Sequence, residues 1–161
     1  MVKRLVATND ERREVCRAAL AGIAAESLDD VTVELRPRKD RHFPFPADVF
    51  IELGADALRL AGATRASPVN LNDFSERYLA EYELRGNTAR QKIAAAAHLV
   101  VAAHGGVVPD YFGAAGWWQV QDLWSFALLA LVGMVRVAAE RTGRPCTDIC
   151  AELAAAHDFS V

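Results

Sequence analysis

Ten consecutive residues, Phe126 to Val135, carry neither a charge nor a strong hydrogen-bonding side chain. They lie inside the most apolar stretch of the chain, WWQVQDLWSFALLALVGMVRVAAER, from Trp117 to Arg141. A bilayer span needs roughly 20 apolar residues, so a run this short, closed by Arg136 and Glu140, predicts a core helix and no membrane insertion. At about 100° per residue, Asp122, Ser125, Leu129, Gly133, Arg136 and Glu140 share one narrow stripe, and the rest of the circumference is apolar or aromatic. The pattern predicts a helix surrounded on most sides, against which the other elements pack.

Upstream, the periodicity changes several times. Thr8 to Glu11 has the spacing of a capping box, and Val15, Ala18, Ala19, Gly22 and Ile23 follow at helical intervals, which predicts a helix from about Asn9 to Ser27. VTVELR, from Val31 to Arg36, alternates β-branched residues with Thr32 and Glu34 and reads as a strand covered on one face. DVFIEL and DALRL flank Gly54-Ala55 and admit two readings. One is a tight hairpin; the other is a single helix starting at Pro46, because Phe50, Leu53, Ala57 and Leu60 are also helix-spaced. The hairpin is favoured, since a lone VTVELR strand would have no partner for its backbone groups.

After the polar connector GATRASPVN the pattern is helical to the end, which places a subdomain seam near residues 62–71 of an otherwise single domain, 1–161. Phe74, Tyr78 and Tyr82 lie four apart on a helix through Leu84 that Gly86 stops. Asn87 can cap the next helix, TARQKIAAAAHLVVAAH, whose alanine block allows close approach to the 117–141 helix. Gly143 and Pro145 end the central helix, and Thr147 is placed to cap a last one carrying Ile149 and Leu153 to about His157. The expected fold is α+β and mainly α, with a small antiparallel β element in the first half and a C-terminal helical layer around the central apolar helix.

Composition narrows the function classes. At 161 residues and 52% hydrophobic, one domain can bury a real core, and the alanine share predicts closely approaching helices with few large anchors. A formal net charge of −3 disfavours nucleic-acid binding through overall charge. Three cysteines without a C-x-x-C pair do not make the disulfide framework of a secreted domain, and MVKRLVATNDERRE lacks the apolar run of about 7–15 residues of a signal peptide. The expectation is a cytoplasmic protein.

Candidate chemistry clusters around the connector GGVVPDYFGAAG and the start of the central helix. Asp110, Tyr111, Trp117, Trp118, Gln119, Asp122 and Trp124 bring aromatic area beside a few polar groups, as a ligand pocket or protein-binding surface requires. The same tryptophans also suit core anchors, with Asp122 favoured by the helix dipole. His98 and His104 are six apart, about 120° on the wheel, and cannot chelate one metal by themselves. Gln91 aligns with His98, and the pair could face Asp122 on a neighbouring helix. Cys146, Cys150 and His157 lack a fourth ligand and the paired spacing of a zinc site, so inert buried thiols are expected. No residue set calls for a cofactor or a metal. RPRKDRH, with Arg36, Arg38, Lys39 and Arg41 ahead of Phe43 and Phe45, is the one stretch resembling a nucleic-acid contact loop, though a charged loop is usually just solvated. G-x-S-x-G, P-loop, G-x-G-x-x-G and H-E-x-x-H signatures are absent.

The reading favoured by these residues is a non-enzymatic interaction module, a small regulatory or neutralising partner of another protein. The first alternative is a small enzyme with a general base among His98, His104 and Asp122 in an interhelical pocket. The second is a nucleic-acid-associated protein using Arg36 to His42. A homodimer is also expected, because few helices are left to cover the central one, with Tyr111, Phe112 or Trp117 in its interface.

Overall fold

A computed structural model describes residues 8–26, 46–62, 96–98, 100–101, 103–105 and 120–157, with 120–124 as helical backbone only. Four helices are bounded within them: α1 (Asn9–Ala24), α2 (Ala47–Leu60), α3 (Val120–Thr142) and α4 (Cys146–Ala156). Residues 96–98, 100–101 and 103–104 are also helical. None of the described helices is long and apolar enough to cross a membrane.

The β element expected in the first half is not seen: residues 47–60 form one helix, and there is no strand among the described residues. The VTVELR segment lies outside them, and of the proposed seam only Gly62 is described. The physical reason is legible in the charges. Asp48, Glu52, Asp56 and Arg59 recur at helical spacing on one stripe, whereas a hairpin turning at Gly54-Ala55 would put Asp56 on the opposite face of the sheet from the other three. Pro46 precedes the first turn, where a missing N–H does no harm, and its carbonyl accepts from Val49 N at 3.0 Å. Asp48 in the first turn and Arg59 in the last both complement the helix dipole. Gly54 is therefore no turn residue. A Cβ built there would lie 3.1 Å from both methyl carbons of the fully buried Val100, so the glycine lets Val100 approach the α2 backbone closely.

The other helices follow their local signals. Thr8 and Glu11 close the reciprocal box on α1, with Glu11 N–H donating to Thr8 Oγ1 at 3.2 Å and Thr8 N–H to Glu11 Oε1 at 3.4 Å. The helix stops at Ala24, short of Ser27, and Glu26 takes a left-handed conformation with φ 57°. Central α3 follows the expected circumference except at Gly133, which was expected on the polar stripe and is buried. Ala127, Leu128, Ala130, Leu131, Val132, Met134, Val135 and Ala138 are buried, whereas Ser125, Leu129, Arg136 and Glu140 are half-buried or exposed. Gly143, at φ 67°, ends it. Helix α4 begins one residue before the expected Thr147 cap: Pro145 is the N-cap and there is no side-chain cap hydrogen bond.

The largest interface joins α2 to α3, while α1 packs mainly on α4 and both also touch α2. The shared core contains Phe50, Leu53 and Leu58 from α2, Leu128, Leu131 and Met134 from α3, and Ile149 and Leu153 from α4.

Candidate functional site

The densest grouping of ionisable side chains among the described residues follows from the polar stripe of α2. Three carboxylates, Asp48, Glu52 and Asp56, stand on successive turns, and α1 and α4 each bring a basic group to them. Arg12, one turn into α1, forks across two of these turns: Nη1 donates to Asp48 Oδ2 at 2.6 Å and Nη2 to Glu52 Oε2 at 2.8 Å. Burial alone would lower the Arg12 pKa, but the hydrogen bond and charge of Asp48, with Glu52 adding to both, hold it above its ordinary value. The guanidinium is thus fixed in place and in charge. Asp48 Oδ1 is buried with no hydrogen-bond partner among the described residues, so the Arg12 contact is made through the other oxygen alone.

One to two turns further on, Asp56 is shared. Arg59 pairs with Oδ1 from the same helix, and His157, the C-cap residue of α4, meets Oδ2 through Nε2. Burial lowers the His157 pKa; Glu52 opposes the shift, and the positive charges of Arg12 and Arg59 reinforce it. The Asp56 carboxylate is thus in contact with both Arg59 and the ring.

Beneath Arg12, Cys16 is buried, and desolvation pushes its thiol up to about 12, against the lowering effect of Arg12. Cys150, buried on α4, is pushed up to about 11 by desolvation and by Cys146. At neutral pH both stay protonated and are poor nucleophiles. No group of three or more His, Cys, Asp or Glu side chains among the described residues is arranged to hold a metal. The junction's carboxylates are already engaged by Arg12, Arg59 and His157, an arrangement that ties three helices together.

The residues singled out from the sequence lie elsewhere. Asp110, Tyr111, Phe112, Trp117, Trp118 and Gln119 fall outside the described residues, as do Gln91 and Arg36, Arg38, Lys39 and Arg41; Asp122 and Trp124 fall within α3, where only the backbone is described. His98 is exposed, while His104 is half-buried, as two positions far apart on a helical wheel should be. The junction residues Arg12, Asp48, Glu52, Asp56 and Arg59 were not anticipated. The signal that could have found them is the four-residue spacing of the acids on α2 with a lone Arg12 on the buried side of α1. His157 was weighed only beside Cys146 and Cys150, whereas its partner is on α2. Compared with family models, curated proteins and solved structures, the chain matches none of them.

Proposed function

We propose that the protein is a non-enzymatic binding module, a small regulatory partner of another protein that also self-associates as a homodimer. The observation that carries this reading is the stripe of α3 on which Phe126, Leu129 and Val137 pack against the core yet stay only half-buried, whereas Leu128, Leu131, Val132, Met134 and Val135 are buried. Ser125, Arg136 and Glu140 lie on the same side of the helix, so the stripe mixes apolar with polar positions, as contact surfaces do. The stripe continues in sequence from Tyr111, Trp117 and Trp118, whose aromatic character supports the same use. The carboxylates and buried thiols of the α1/α2/α4 junction are engaged or held protonated, so they offer the reading no competing chemistry.

The test is to isolate tagged wild-type protein and a Leu129→Glu variant from the cells that make it, with circular dichroism confirming that both are folded. One protein retained in near-equal amount by the wild type and lost by Leu129→Glu is the expected result. Retention unchanged by the substitution, or none above an untagged control, removes the reading. Sedimentation at tens of micromolar reports the homodimer separately.

A further inference from the structure

We draw no further inference here: the strongest candidate, the side-chain cluster of Asp48, Glu52 and Asp56 at the junction of α1, α2 and α4, belongs to the site already described, where Arg12, Arg59 and His157 meet its carboxylates and nothing among the described residues points to a ligand.

Discussion

On one side, α2 offers Asp48 and Glu52 to α1 and Asp56, itself paired with Arg59, to α4; around the rest of its circumference Val49, Phe50, Leu53, Gly54, Ala57 and Leu58 are buried, with α3 its most extensive partner. The apolar side works by removing area from water. Each fully buried Phe or Leu contributes roughly 1.5–3 kcal/mol, and the contribution depends little on direction. The polar side works by geometry: Arg12 must reach two turns of α2 at once, and His157 must arrive where Arg59 has already claimed Asp56. Half-exposed ion pairs contribute little net stability, because desolvation and side-chain ordering offset the attraction. The apolar side thus accounts for most of the folding free energy, and the polar side selects which way α1 and α4 lie on α2.

The largest effect should come from charging the apolar side. Leu128→Asp, at a residue 1% exposed, buries an unpaired carboxylate and should cost more than about 4 kcal/mol, leaving little soluble folded protein. Wild-type-like melting of that variant would make α3 peripheral and void the comparison. Gly54→Leu should follow, at about 2–3 kcal/mol, because the added side chain meets stiff, buried Val100. A melting temperature within two or three degrees of wild type would mean that the two helices can slide apart freely.

On the polar side Arg12→Ala should cost only about 1–2 kcal/mol, mostly from leaving the Asp48 carboxylate partly buried without its cation. Adding Asp48→Leu should recover most of that loss in urea melts. A double variant no more stable than Arg12→Ala would show that the pair contributes net energy and does not merely orient the helices. Smallest, and of opposite sign, Glu26→Gly should raise stability by about 0.5–1 kcal/mol by relieving the left-handed φ of 57° at a position remote from the fork. Gly62 and Gly143 occupy the same conformation after α2 and α3, which is where that expectation comes from. A loss of stability on this substitution would mean that the Glu26 side chain contributes more than its strain removes.

Several features were legible from residues alone because each depends on near neighbours in the chain. The capping box of Thr8 and Glu11, the extent of α3 from Val120 through Arg141 and the stop at Gly143 appear where the periodicity put them, as does its stripe at Ser125, Leu129, Arg136 and Glu140, though Gly133 on the same stripe is buried. The 47–60 segment could have been read correctly as well. The apolar residues fit either period, but the charges at 48, 52, 56 and 59 fit only a helix, and the assumption that VTVELR needed a strand partner outweighed them.

Tertiary structure alone decided the rest. A glycine beside alanine reads as a turn until Val100, 46 positions later in sequence, is found against it. Arg12 meets Asp48 across 36 residues, and His157 meets Asp56 across 101. Helical period tells which side chains share a face, since that depends on rise and rotation per residue. It carries no information on which face of which other helix will be opposite, because many pairings bury similar apolar area and only the packed chain selects the one in which the charges also meet.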